Sequence, residues 1–583
     1  MPRLEPIVRG WTRAWTPRPG SWAEGAGLLD RVLGVRGLTD PGACRDFLNP
    51  VLRQLHDPSL IPDVDKAAAR LLEALNLGER VVIYGDYDVD GITATAILYH
   101  TLRAIAPGAA VGTYVPHRLE EGYGLNAAAL TQLASEGARV IVSVDCGISA
   151  SGPARAARTA GADLIITDHH NPPTRMEDLP EAYAVVHPRR PDSAYPFGHL
   201  CGAGVAFKLA WRLATMHCGS SRVSEGFRSL LLDLLAFASL GTIADVMPLV
   251  GENRVIAKHG LARVKHSPMA GLRALVEASG LAGESIDSEH VGFALGPRLN
   301  ACGRMGHARE AVEMFTTATP AEAMAIAQNL CKLNDERRAT ERRIADQAAE
   351  MAAEAGMTGD ERRAIVLAHE GWHQGVVGIV CSRLVEKFHR PTILMSVRDG
   401  QCHGSGRSIE GFSLHAALER CSEHLLKHGG HDMAAGLTLD EERLEGFTEA
   451  FIDAANAELG PEDLVPLLKY DCAATLRELD VPTVGKLDAL SPFGMGNPRP
   501  RVRLSAVRLA APPTLMGNGG RHLSLQLKQD GASMRAVAWN WGDRAPNLAQ
   551  GMHLEAVVCP KISTWNGNVR VEAEIEDVHT ISS

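Results

Sequence analysis

A chain of 583 residues, 45% hydrophobic and 22% charged, has the composition of a multidomain globular protein and is long enough to bury a large core without disulfide staples. Its net charge of −10 does not advertise a nucleic-acid binder, which needs a basic surface, although a carboxylate-rich metal site lowers the global figure without forbidding a local basic groove. Met1-Pro2-Arg3-Leu4-Glu5 lacks the apolar segment of a signal peptide, no window approaches the roughly 18 apolar residues of a membrane span, and the 11 cysteines form no C-x-x-C pair, so a cytoplasmic protein with reduced thiols is expected.

Residues 1–65 are expected to form an N-terminal helical segment, with loops at Asp40-Pro41-Gly42 and Asp57-Pro58. Asp65–Leu77 is Ala/Leu-rich with helical spacing and stops at Gly78. Three short apolar runs follow, Val81–Tyr84, Val140–Val144 and Leu164–Thr167, each leading into acidic or His residues, with Ala-rich helical stretches between them. Buried apolar strands alternating with helices specify a parallel, doubly wound α/β sheet, whose ligands bind outside the carboxyl ends of its strands. This pattern defines an α/β domain over 66–265.

Residues 266–358 form a helical linker. In it Thr319-Pro320-Ala321-Glu322 is a capping box, and the helical pattern then runs to Gly356, on the order of 50 Å at 1.5 Å per residue. Arg337, Arg338, Arg342 and Arg343 on this connecting helix read either as a solvated face or as a DNA-facing stripe. A second α/β unit spans 359–460, with strands at Ala364–Ala368 and Thr392–Val397, a helix at Val376–Phe388, and Gly-rich segments at Gly404–Ser408 and Gly429–Gly436. Residues 465–583 end in short alternating stretches separated by Gly/Asn turns, the texture of a small β-barrel. From Arg499 onward there are 10 Lys+Arg against 7 Asp+Glu, a local balance of +3. Trp539, Trp541 and Trp565 could stack bases or fill the barrel.

The chemistry lies in the acidic clusters. Asp86-Tyr87-Asp88-Val89-Asp90-Gly91 follows the first strand; it is not a calcium loop, because the position of that loop's final Glu is Ile97. Asp145 ends the second strand, Asp168-His169-His170 the third, and Asp245 follows the apolar run Leu234–Leu240. Carboxylates gathered with imidazole at one sheet edge repel one another strongly without cations. Hard oxygen ligands with one or two histidines suit Mn²⁺ or Mg²⁺. Two such ions ~3.5–4 Å apart can activate a water and stabilise the leaving oxygen of a phosphodiester.

This cluster resembles the DHH phosphoesterase superfamily, and the run from Tyr84 to Ala96 resembles its RecJ family in particular, a likeness that extends from about Arg36 to the barrel. The resemblance implies a DHH domain, a long connecting helix, a second α/β DHHA1 domain and an OB-like barrel. It implies that Asp86 and Asp88 hold one metal, that Asp90, His169 and Asp245 hold the other, and that Asp145 bridges them. Tyr84 stands where small members of the superfamily often carry His, which leaves Asp86 to supply that ligand. His170 is implied at the scissile phosphate, so that Asp88, Asp145, His169 and His170 form the catalytic set. Ser405 and Arg407 match a 5′-phosphate pocket, Arg118 is implied as their partner, and His431 as facing substrate. Arg298 and Arg304, in Pro297–Arg304, read as backbone-phosphate contacts or as structural ion pairs.

The implied activity is a 5′→3′ exonuclease specific for single-stranded DNA that uses two Mn²⁺ or Mg²⁺ ions and releases nucleoside 5′-monophosphates. The implied setting is recombination with mismatch and base-excision repair. The implied partners are single-strand-binding protein and a RecQ-type helicase, with the enzyme itself a monomer. Two rivals stand beside it: a DHH phosphodiesterase of short oligoribonucleotides or cyclic dinucleotides, and an inactive DHH binding subunit. The complete carboxylate set counts against the latter.

Overall fold

The computed structural model describes residues 8–118, 121–565 (the side chain of Trp565 excepted) and 567–581. The chain divides into two compact units, Asn49–Arg338 with Pro492–Pro498, and Met1–Leu48 with Ala339–Ser491 and Arg499–Ser583.

The first unit is built on a five-stranded parallel sheet. Its strands are β1 (Arg80–Tyr84), β2 (Val111–Tyr114), β3 (Ala138–Val144), β4 (Asp163–Thr167) and β5 (Ala184–Val186), in the order β2-β1-β3-β4-β5. Side chains alternate across each strand, and both faces are covered. Val81, Ile83, Val140, Val142 and Val144 enter a large core with the helices Val64–Leu77, Val89–Ile105, Gly202–His217 and Glu225–Ala244. Val82, Tyr84, Ile141 and Ile166 enter a smaller core under Ala127–Ser135 and Ser151–Thr159. That two-sided burial is why the strands read as unbroken apolar runs. The strand order reverses direction between β1 and β3, and it is at such a switch point that a doubly wound sheet opens its ligand crevice. Asp86 and Asp145 leave the sheet there.

The expectation that no window is apolar enough for a membrane span is corrected at one place. Helix Glu225–Ala244, 20 residues with mean hydropathy 1.5, passes that test by length and composition, and 56% of the window is buried. It packs against Val89–Ile105, Gly202–His217 and Gly251–Val264, so its apolarity is that of a core helix surrounded by protein.

In the second unit, β6 (Ile365–His369), β7 (Thr392–Arg398), β8 (Gln401–Arg407), β9 (Lys427–His431) and β10 (Ala434–Asp440) form a mixed sheet in the order β9-β10-β8-β7-β6. Only the β6–β7 pair is parallel. The long helix runs from Pro320 to Glu354, and the Glu322 carboxylate accepts from Thr319 N and Oγ1 at 2.8 Å, as the capping box requires. The C-terminal strands Val502–Leu509, His553–Trp565, Asn568–Thr580, Ala532–Ala538 and His522–Gln529 pair in sequence, and a further pairing of the first with the last closes them into a barrel. Trp541 is buried against Trp11, with ring centroids 5.9 Å apart, whereas Trp539 is 49% exposed. The two tryptophans therefore divide between core and surface.

The N-terminal segment holds the helices Leu28–Val35 and Pro41–Leu48 but opens with strands, Val8–Arg9 and Ala14–Pro17. The second strand lies parallel to Leu467–Tyr470. Fully buried Asp577 accepts from Thr12 N, Arg13 N and Trp15 Nε1, tying the segment to the barrel. Partners so far away along the chain leave no trace in local periodicity, which is why a wholly helical segment is the natural expectation from sequence.

Candidate metal centre and phosphate contacts

The acidic turn after β1 is shaped by a helix start. Asp88 is the N-cap of Val89–Ile105, and its Oδ1 accepts from Asp90 N (2.9 Å) and Gly91 N (3.1 Å). Gly91 is required, since a Cβ there would lie 2.6 Å from the backbone N and O of Asp86. Asp90, one residue into the helix, is gripped from elsewhere. Gly202 N and Ala203 N, at the start of Gly202–His217, donate to its two oxygens at 2.6 and 2.8 Å. Side chains are excluded around this contact. A Cβ on Gly202 would meet Asp145 Cβ at 2.5 Å, and one on Gly241 would meet Asp90 Oδ1 at 2.4 Å. Asp145 sits just past β3 with φ of 64°, a left-handed conformation unusual for a non-glycine residue, while its N–H bonds to Thr167 O. Asp245 caps the C-terminus of Glu225–Ala244.

The fold brings all six expected metal ligands together. Asp86, Asp88 and Asp145 form one group of ligand atoms within 4.8 Å of one another, and Asp90, His169 and Asp245 form a second. Asp145 also groups with His169 and His170, so it stands between the two sets. His169 Nε2 lies 3.1 Å from Asp145 Oδ1, 3.5 Å from Asp245 Oδ2 and 3.7 Å from Asp90 Oδ2. Asp86 Oδ1, Asp145 Oδ1 and His169 Nε2 are buried with no hydrogen-bond partner among the described residues. Burial, then the charge of Asp88, pushes the Asp86 carboxyl well above its ordinary range, and burial with Asp90, Asp88 and Asp86 does the same to Asp145. Burial and Asp90 raise Asp245 to about 8, while burial lowers His169. Buried acceptors without donors, on acids that resist ionising together, are what divalent cations relieve. The residues fit two hard cations bound through oxygen with imidazole added.

Asp168, first of the Asp-His-His triplet, is not a member of either group. It accepts from Ile148 N (2.9 Å), His169 N (2.7 Å), His170 N (3.1 Å) and His170 Nδ1 (2.8 Å). Burial raises its carboxyl, but these bonds outweigh burial and hold it down at about 2. The same pairing lifts His170 to about 9 against the effect of burial. Arg189 Nη2 donates to His169 O at 2.6 Å, and His187 Nε2 lies 2.8 Å from His170 O. Tyr123 Oη is 3.0 Å from His170 Nε2. Sequence reasoning assigns no role to Asp168, Tyr123, His187 or Arg189; only the Asp at the head of the triplet carries a signal.

Of the residues expected to meet phosphate, Arg118 lies over the Tyr87 ring, 4.9 Å from its centroid. The segment Pro297–Arg304 buttresses the acidic turn. Asn300 Oδ1 accepts from Val89 N (3.1 Å), and a Cβ on Gly303 would meet Tyr87 O at 2.8 Å. Arg298 donates to the neutral acceptors Ala294 O (2.8 Å) and Cys331 Sγ (3.3 Å). Arg304, next to Gly303, is half-buried. Ser405, Arg407 and His431 belong to the second unit. Gly404–Arg407 is the end of strand β8, and a Cβ on Gly404 would meet Met395 Cγ at 2.6 Å. Ser405 and Arg407 share one strand face, beside Gly378 of helix Gln374–Phe388, where a Cβ would come 3.3 Å from Ser405 Oγ and 3.6 Å from Arg407 Nη2. His431 is exposed at the hairpin joining β9 and β10.

Three family models match the chain: the DHH family N-terminal domain over residues 80–239, the DHHA1 domain over 361–457 and the RecJ OB domain over 470–577. The chain is 36% identical over 552 residues to the single-stranded-DNA-specific exonuclease RecJ of Bacillus subtilis, covering 94% of this chain and 67% of that one. It is 37% identical over 528 residues to the RecJ exonuclease of Dickeya dadantii, covering 88% and 89%. The chain belongs to the RecJ family. A crystal structure of RecJ in complex with Mn²⁺ from Thermus thermophilus matches it with a TM-score of 0.79 at 32% identity, over 95% of this chain and 76% of that one. A RecJ–Mg²⁺ structure from the same organism matches with a TM-score of 0.73 at 31% identity, over 95% of this chain and 74% of that one. The DHH match falls within the first unit described above, and the DHHA1 and RecJ OB matches cover most of the second.

Proposed function

We infer that this chain is a single-stranded-DNA-specific exonuclease that degrades DNA 5′→3′ and releases nucleoside 5′-monophosphates. The observation that carries this reading is the convergence of Asp86, Asp88, Asp90, Asp145, His169 and Asp245 at the switch point of the DHH sheet, in a chain of the RecJ family. Asp86 and Asp88 would hold one ion and Asp90, His169 and Asp245 the other, with Asp145 between them. Two Mn²⁺ or Mg²⁺ ions, when bound, supply activation of a water and charge stabilisation at the leaving oxygen. His170 keeps Nδ1 on Asp168, and its Nε2–H, which meets Tyr123 Oη here, would serve as a charge-assisted donor to a phosphate oxygen. Gly202 and Ala203 hold Asp90 in place through the backbone, which needs no side chain to do it.

Arg407 and Ser405 would take a terminal 5′ phosphate, Arg407 through its planar fork. Arg298 and Arg304 would meet backbone phosphates and His431 the substrate. Trp539, half-exposed on a barrel with a local excess of basic residues, is the candidate for base stacking. The reading includes a monomeric cytoplasmic enzyme of recombination and mismatch and base-excision repair that acts with single-strand-binding protein and a RecQ-type helicase. All 11 cysteines are free, as reduced thiols would be.

The test is digestion of 5′- and 3′-labelled single strands, duplex and RNA with Mn²⁺ or Mg²⁺. Mononucleotides released first from the 5′ end of single-stranded DNA are expected. Release from the 3′ end would reverse the polarity, and preference for short oligoribonucleotides or cyclic dinucleotides would move the enzyme to another DHH substrate class.

A further inference from the structure

Helix Gly251–Val264 begins with three polar residues that are all buried, Glu252, Asn253 and Arg254. Polar groups persist at that depth where they are hydrogen-bonded. Glu252 accepts from Lys208 Nζ, Tyr195 Oη and His56 N. Asn253 serves a different part of the molecule. It does not cap the helix, whose N-cap is Val250 with no side-chain bond. Its Nδ2 instead donates to two backbone carbonyls, His199 O and Pro248 O, the latter at 3.1 Å.

His199 stands three residues before Gly202, which with Ala203 grips Asp90. Pro248 stands three residues after Asp245. Both segments are irregular backbone, and the second starts at Val246 with φ of 56°, a left-handed conformation that a β-branched residue adopts only when its surroundings hold it. One amide thus fastens the two loops that set Asp90 and Asp245. Asn253 Oδ1 is buried without a hydrogen-bond partner among the described residues, so the donor half of the carboxamide is the half in use.

We propose that Asn253 is a positioning residue of the metal centre: by cross-linking the chain before Gly202 to the chain after Asp245, it fixes the spacing of the ligands of the Asp90–His169–Asp245 group. This rests on the reading of that group as a divalent-cation site. Asn253→Asp tests it, because the near-isosteric carboxylate sets an anion against two carbonyl oxygens in place of a donor. Mn²⁺ binding is measured by electron paramagnetic resonance titration of the full chain, alongside the Mn²⁺ concentration that half-saturates cleavage of single-stranded DNA.

Binding weaker by about ten- to a hundredfold is expected, as for other groups that orient metal ligands, with KM for DNA unchanged at saturating Mn²⁺. Glu252→Gln, one residue away with partners outside the ligand set, should lower Tm and leave the Mn²⁺ isotherm unmoved. A wild-type isotherm in Asn253→Asp, or an equal shift in Glu252→Gln, overturns the proposal. If Asn253→Asp does not fold, Asn253→Ser, which keeps one donor, is read in the same titration, and an unshifted isotherm again overturns it. A wild-type protein that binds no Mn²⁺ would instead remove the metal-centre reading, and that is seen before any variant is made.

Discussion

Asp245→Asn should make the metal-free protein more stable while destroying its activity. Asp245 is partly buried beside Asp90 and Asp88, and its carboxyl is raised to about 8 in the folded state. In the unfolded chain it returns to about 3.9. Between these values the folded state binds more protons than the unfolded state, so stability falls as pH rises through that window. At pH 7 the folded carboxyl is largely protonated and the unfolded one ionised. About three pH units of that window then count against folding, roughly 4 kcal/mol at 1.36 kcal/mol per unit. Asparagine has no ionisation to suppress. In chelator at pH 7 the variant should melt higher by roughly 5–10 °C, at somewhat less than the 2–4 °C per kcal/mol of a 150–250-residue domain. The wild type should close the gap as pH is lowered toward 4. Adding Mn²⁺ should invert the order, because binding to the native state stabilises by mass action and the variant has lost a proposed anionic ligand. The assay is a calorimetric melt of both proteins at pH 4, 5.5 and 7, with chelator and with Mn²⁺. A variant no more stable than wild type in chelator at pH 7, or equally stabilised by Mn²⁺, would refute the reasoning.

Asp145→Ala should abolish cleavage with folding retained, since no other carboxylate of the cluster stands between both ligand groups; near-wild-type turnover with added Mn²⁺ would sink the two-metal assignment. Arg407→Ala should reduce use of 5′-phosphorylated ends about ten- to a hundredfold more than 5′-hydroxyl ends, the loss of a charge-assisted bond of roughly 1.5–3 kcal/mol; equal losses in a competition assay would remove Arg407 from the 5′ pocket. Deleting residues 499–583 should retain turnover at saturating DNA, because every proposed metal ligand lies at or before Asp245, and should weaken binding of long single strands with a shallower salt dependence; unchanged affinity in titrations at several salt concentrations would make the barrel a structural or docking module. The cut is placed after Pro498 because residues 492–498 belong to the first unit, where Leu249 N bonds to Met495 O and Ser288 Oγ to Phe493 O.

Much of this protein is legible in its sequence because the signals are local. Apolar runs such as Val81–Tyr84 and Val140–Val144 announce strands buried on both faces, and the carboxylates that follow them must lie at one sheet edge once the strands are parallel. The six proposed metal ligands can be named on that ground together with the family resemblance, and so can the capping box that starts the long helix. Other features have no such signal. Helix Glu225–Ala244 has the composition of a membrane span, and only its packed neighbours make it a core helix. Trp539 and Trp541, two residues apart, differ in exposure, the latter lying against Trp11 and under the Arg544 guanidinium. Asp90 is held by Gly202 and Ala203, 112 and 113 positions away, and Asn253 reaches two carbonyls on different loops. Those contacts run through backbone N–H and C=O groups, which almost every residue carries alike. Sequence records where a side chain is special; which backbone groups it meets is decided only when the chain closes on itself.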